Sequence, residues 1–151
     1  MIFDTHAHYS DEQFDKDRDE LLWGMEDEGV GTIVEIGASM ESSREAIRLA
    51  ERYGADVHKA RVAALLHDCT KKLDMEEQLA LCRQYQIPLD DLERKALKLL
   101  HAKTGAAIAR DVFGVDDEIY SAIFWHTTGK ADMTLLEKII YLADYIEPSR
   151  D

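Results

Sequence analysis

The sequence has little of what secreted, membrane-embedded or nucleic-acid-gripping proteins rely on. Its two cysteines, Cys69 and Cys82, are too few for a disulfide framework, which points to a cytoplasmic protein with reduced thiols. No stretch approaches the ~18 consecutive apolar residues of a membrane span. The opening, MIFDTHAHYS, is acidic and lacks a basic run, so it does not read as a signal peptide. Basic side chains are outnumbered: 18 Lys and Arg stand against 31 Asp and Glu, a net charge of −13. A face that neutralises nucleic-acid phosphates needs the opposite balance, so no nucleic-acid partner is expected. A phosphate ester stays open as a substrate, because bound metal ions supply positive charge locally. Repeats and low-complexity segments are also lacking.

What is present suits a folded domain: 151 residues, 46% hydrophobic and 32% charged. The front of the chain predicts a strand over 2–8 (IFDTHAH), a helix over 11–28 with Phe14, Leu21, Leu22 and Met25 on its apolar side, and a strand over 29–37. That order implies a parallel βαβ unit, which needs cover from helices or from another subunit. From Ser42 onward only helices are predicted: 43–53 stopped by Gly54, 56–72, 74–85, 90–113 stopped by Gly114, 116–125 and 134–146. Asp74-x-x-Glu77 and Thr134-x-x-Glu137 are capping boxes, and Pro88 and Pro148 follow helix ends. The expected class is α+β, mostly α. The expected division places a βαβα fragment at 1–53 and a helical bundle at 54–151. Exposed strand edges make a homo-oligomer an expectation too.

Five of the six histidines sit in tight local motifs. His67 and Asp68 form a doublet in LLHDCTK, and His101 lies in LLHAKTG. His126 lies in FWHTTG and Asp144 in YLADYIEP, again on or at the end of predicted helices. Adjacent residues on one helix point about 100° apart, so both members of the doublet can face one ion only inside a bundle. Taken singly, each residue has a plain account: a satisfied core histidine, a polar spot on a helix, or, for Lys71, a surface lysine. Taken together, buried acids and imidazoles are expensive without partners, and a shared ion removes that expense. Imidazole and carboxylate ligands together suit iron, manganese or zinc.

The His-Asp doublet followed by two histidines and a final aspartate resembles the HD superfamily. The strings AIRLAERYGADVHKARVAALLHDCTK, LLHAKTGA and HTTGKADMTLLEKIIYLADYIEP resemble more closely the YqeK-type symmetrical bis(5′-nucleosyl)-tetraphosphatases. The resemblance implies an HD-domain helical bundle with two divalent ions, iron first and manganese or zinc as alternatives. It also implies cleavage of diadenosine tetraphosphate to ADP. By carry-over, His67, Asp68, His101, His126 and Asp144 are metal ligands, with Asp68 bridging and central to catalysis. Lys71 would reach a substrate phosphate, and Thr127, Thr128 and Arg150 would line the polyphosphate pocket. Two departures stand out. The position where the family carries its first histidine falls at about Ala38, within GASMESSREAI, which has none. The family also continues past YIEPSRD, so the bundle reads as truncated.

The first 53 residues resemble another family. MIFDTHAHYSDEQFDKDRDELL, GVGTIVEIGAS and ESSREAIRLAERYG are similar to the opening of TatD-type metal-dependent DNases, in which a His-x-His pair binds metal. Here that pair is His6 and His8, alternating along a strand so that both point to one side. The chain therefore reads as a hybrid, with His6 or His8 also a candidate for the missing ligand. Three function classes follow: an HD-type nucleotide phosphohydrolase, a metal- or nucleotide-binding remnant without turnover, and a DNase-like hydrolase resting on Asp4, His6 and His8. The acidic charge and the absence of the rest of a barrel weigh against the last.

Overall fold

The computed structural model describes residues 2–7, 16–17, 20–21, 24–25, 30–35 and 40–146. The chain divides into two compact units, 1–37 and 38–151. The division falls ahead of the boundary expected after residue 53, because the helix Met40–Tyr53 packs with the helices that follow it.

In the first unit, strands β1 (Ile2–Ala7) and β2 (Val30–Glu35) pair in parallel. Their register slips between Ile2 and Phe3 and again between Asp4 and Ala7. The helix expected over 11–28 falls mostly outside the described residues; residues 20–21 and 24–25 are helical.

The second unit is made of six helices: α1 (Met40–Tyr53), α2 (Val57–Leu66), α3 (Met75–Gln84), α4 (Leu97–Phe113), α5 (Asp117–Phe124) and α6 (Leu135–Tyr145). A single 3₁₀ turn, Glu93–Lys95, precedes α4. Local chemistry sets where these helices begin. Asp56, Asp74, Asp116 and Thr134 each accept a hydrogen bond from the backbone N–H three residues on, which satisfies one donor the helix cannot. At Asp74 and Thr134 the glutamate three residues later returns the bond, completing both expected capping boxes. Gly114, at φ 64°, closes α4 in the left-handed conformation that glycine adopts without strain.

The contiguous core lies wholly on helices of this unit. Alanines predominate on α1, α2 and α4 (Ala46, Ala60, Ala63, Ala106), while Ile123, Leu136 and Ile140 of α5 and α6 fill the space between. Small side chains let helix axes approach closely, so residues at helix ends can meet across the bundle. This corrects the α+β class with an N-terminal βαβ unit. The body of the chain that carries the described core, 40–146, is an all-helical bundle. Among the described residues, no helix is long and apolar enough to cross a membrane.

A second correction concerns α2, expected to run to Lys72. It ends at Leu66, and residues 67–73 fold as successive turns closed by Cys69 N–H to Leu66 O, Lys71 N–H to Asp68 O and Leu73 N–H to Thr70 O. The side chains of this segment bond across the bundle, Thr70 to His101 O and Asp68 to the His101 ring, which holds it as turns rather than continued helix.

Candidate metal centre

Four chain segments deliver the expected ligands to one place. His67 and Asp68 lie in the turn after α2, His101 at the start of the second turn of α4, His126 in the turn after α5, and Asp144 in the last turn of α6. All five are buried. Asp68 is the hub: its Oδ1 lies 3.1 Å from His101 Nε2 and 3.5 Å from His126 Nε2. Its Oδ2 lies 3.5 Å from His67 Nε2. Asp144 Oδ1 approaches His67 Nε2 from the other side at 3.7 Å. One ligand atom from each of His67, Asp68 and His126 lies within 4.8 Å of the others, close enough to share an ion.

The histidine tautomers follow from the backbone. Nδ1 of His67 is 2.7 Å from Ala64 O, and Nδ1 of His126 is 2.7 Å from Ile123 O. A carbonyl only accepts, so each Nδ1 carries the proton and each neutral ring keeps an Nε2 lone pair directed at the cluster. An imidazole that ligates through one nitrogen and donates from the other to a carbonyl is the usual arrangement at metal sites. His67 Nε2 and Asp68 Oδ1 are buried without a hydrogen-bond partner. Unsatisfied acceptors grouped in this way are costly unless a cation joins them, so the donor set fits a divalent metal.

Electrostatics divides the cluster. Burial opposes the charge of Asp68, yet His101, His126, His67 and the Lys71 ammonium outweigh it and hold the carboxyl well below its usual range. Asp144 is likewise held low, against burial, by His67. Burial disfavours protonated His67, but Asp144 and Asp68 on its two sides raise its pKa. Burial lowers the pKa of His126, and the charge of its two imidazole neighbours adds to that against the pull of Asp68. Carboxylate oxygen gathered beside imidazole nitrogen is the donor set that a hard-to-borderline cation requires.

Lys71 reaches Asp68 Oδ2 at 2.5 Å while half of its side chain stays open to solvent. Thr127 and Thr128 directly follow His126; the Thr127 hydroxyl is buried without a partner, and Thr128 is exposed. His6 lies on β1, but its side chain, and all of Ala38, His8 and Arg150, are outside the described residues.

Three positions escaped the sequence reading. Thr70, Gln78 and Thr104 are buried beside the ligand-bearing turn and hydrogen-bond to one another. A buried glutamine on an otherwise amphipathic helix carries no local signal. Thr104, one turn after His101, was the best clue. Gly105 was missed as well: a Cβ there would meet His67 O at 3.3 Å, so this glycine lets α4 lie close against the turn.

A family model described as HD domain matches residues 38–149. The symmetrical bis(5′-nucleosyl)-tetraphosphatase of Halalkalibacterium halodurans is 48% identical over 106 residues, covering 70% of this chain and 56% of that protein. The protein of the same name from Bacillus subtilis is 47% identical over 106 residues, with the same coverage of 70% and 56%. A crystal structure from Clostridium acetobutylicum, described as a predicted HD superfamily hydrolase involved in NAD metabolism, superposes with a TM-score of 0.70 at 44% identity. It covers 74% of this chain and 60% of that one. The chain thus spans between half and two thirds of the length of these relatives. The likeness agrees with the all-helical body, and it gives the TatD-like reading of residues 1–53 no support. With its bundle, its His-Asp doublet and a family match across 38–149, the chain belongs to the HD-domain family.

Proposed function

We propose that this chain is a metal-dependent phosphohydrolase that splits diadenosine tetraphosphate, or a related nucleotide, with ADP as product. The observation that carries the reading is the convergence of three Nε2 atoms and two carboxylates on one buried spot, with two of the rings locked by backbone carbonyls. His67, Asp68, His101, His126 and Asp144 would hold the metal. A divalent metal bound there supplies Lewis acidity to a phosphoryl oxygen and lowers the pKa of water to near neutrality. In the overall reaction, water adds hydroxyl to one phosphorus and a proton to the leaving ADP oxygen as the anhydride bond breaks.

The chain's own groups have separate tasks in this reading. Lys71, half-exposed and paired with Asp68, holds a substrate phosphate and restrains the Asp68 carboxylate. Thr127 and Thr128 offer hydroxyls next to His126, and Arg150 extends the same phosphate-binding role. The symmetrical tetraphosphatases of Halalkalibacterium halodurans and Bacillus subtilis support the choice of substrate. Iron is the expected metal, with manganese and zinc as alternatives. The two free cysteines and the acidic charge fit a cytoplasmic location.

The test is hydrolysis of diadenosine tetraphosphate by protein purified without oxygen and supplied with ferrous iron or manganese. ADP as the sole product supports the proposal. A second reading, metal or nucleotide binding without turnover, is favoured by one observation: no histidine occurs between His8 and His58 to supply a first ligand. Folded, metal-loaded protein with no turnover would favour that reading. Light scattering of the same sample tests the homo-oligomer.

A further inference from the structure

Gln78 of α3 is fully buried, and its amide spans the two segments that carry Asp68 and His101. Its Nε2 donates to Thr70 O at 2.6 Å, two residues beyond Asp68. Its Oε1 accepts from the Thr104 hydroxyl at 2.6 Å, one helical turn beyond His101. The Thr70 hydroxyl completes the loop, 3.0 Å from His101 O and 2.9 Å from Thr104 Oγ1.

One placement of the protons serves every member, although Thr104 Oγ1 also lies 3.1 Å from Leu100 O and 3.4 Å from His101 O. The amide donates to Thr70 O, and Thr104 spends its only hydroxyl proton on Gln78 Oε1. Thr70 therefore donates toward His101 O or Thr104 Oγ1. Every member is satisfied, which makes a buried polar network rigid and leaves a deep deficit when one member is removed. Burying such a network contributes less to stability than apolar packing of equal volume, so its position between two ligand segments calls for a further role.

We propose that Gln78, Thr70 and Thr104 form a positioning relay that sets the separation of Asp68 from His101 and so tunes the affinity of the centre for its metal. The inference rests on the metal-centre reading above. The relay holds the turn 67–73 against α4 by its backbone carbonyls, leaving the ligand side chains free to face the ion. Gly105 on the same face of α4 permits the close approach that these short bonds require.

The test uses the full chain with Gln78→Met, Thr104→Val and Thr104→Ser, titrated with manganese and followed by electron paramagnetic resonance, with circular dichroism to verify folding. Outer-shell substitutions at metal sites lower affinity by about 10- to 100-fold. Gln78→Met and Thr104→Val are expected to weaken manganese binding by about tenfold or more, and Thr104→Ser to stay within about twofold of the parent, on that scale. If folded Thr104→Val melts at a lower temperature but binds manganese as tightly as the parent, the network only packs the core and the inference is overturned. Should Gln78→Met fail to fold, the Thr104 pair decides alone. A parent that binds manganese without hydrolysing nucleotide would overturn the proposed activity and leave this comparison intact. A parent that binds none would overturn both.

Discussion

Asp68 Oδ1 lies 3.1 Å from His101 Nε2, joining the turn after α2 to the second turn of α4 through a single carboxylate oxygen. The same oxygen is 3.5 Å from His126, so Asp68 touches three of the segments that build the cluster. Substituting Asp68→Asn keeps the shape and removes the charge. It is expected to abolish stoichiometric metal binding and reduce hydrolysis to background, as is His67→Ala. Metal content by elemental analysis and ADP release check both, and retained activity in either variant would sink the assignment.

Lys71 tests the substrate side separately. Its ammonium pairs with Asp68 but stays half-exposed, outside the ligand set. Lys71→Gln is expected to leave metal content near the parent value while raising KM for the nucleotide by about tenfold, the equivalent of one charge-assisted phosphate contact of about 1.5 kcal/mol. A steady-state profile with unchanged KM would remove Lys71 from phosphate binding.

Gly105→Ala sets helix propensity against close packing. Alanine in a helix interior favours folding by about 1 kcal/mol over glycine. The new Cβ would sit 3.3 Å from His67 O and 3.5 Å from Thr70 Oγ1, so the ligand turn must give way. Thermal stability is expected to change by less than about 1 kcal/mol while manganese affinity falls several-fold. Paired melting and titration experiments separate the two effects.

Glu137 carries a pH dependence remote from the ligands. Burial opposes its charge, but Lys130 at 2.7 Å, the Ser121 hydroxyl and the Thr134 N–H outweigh it and lower its pKa from 4.5. A carboxyl with a depressed folded pKa contributes stability that is complete above its unfolded value. That stability is lost as pH falls through the folded one. Glu137→Gln is therefore expected to melt several degrees below the parent at pH 7, with the gap narrowing below about pH 4.5 as the parent's own carboxylate protonates. A gap independent of pH would show that the loss is one of shape alone.

The capping boxes at Asp74 and Thr134 were legible because their logic is local: donor and acceptor lie three residues apart, and the structure forms both. The gathering of His67, Asp68, His101, His126 and Asp144 was legible for a related reason. Polar residues among apolar neighbours at helix ends have few other uses, and the motifs around them resemble a known family. The end of α2 was not legible, since LLHDCTKK continues a helical pattern that only the tertiary pull on His67 and Asp68 interrupts. Nor was the role of Gln78, whose partners come from α4 and from the turn. The strand-like front misled the fold class, because a β-branched run announces a strand without announcing how far the helices of 40–146 outweigh it.

The rings of His67 and His126 each donate to a carbonyl in the last turn of a helix, Ala64 O in one case and Ile123 O, which also accepts from the His126 N–H, in the other. Termination of α2 and α5 and orientation of the ligands are thus a single event. Once the two helices have formed, the imidazoles are already aimed, and an arriving ion meets a finished cradle rather than a loose set of side chains. The orientation of both rings is built into the fold itself. Chelation should empty it without unfolding the bundle, and reloading should be limited by ion access rather than by refolding.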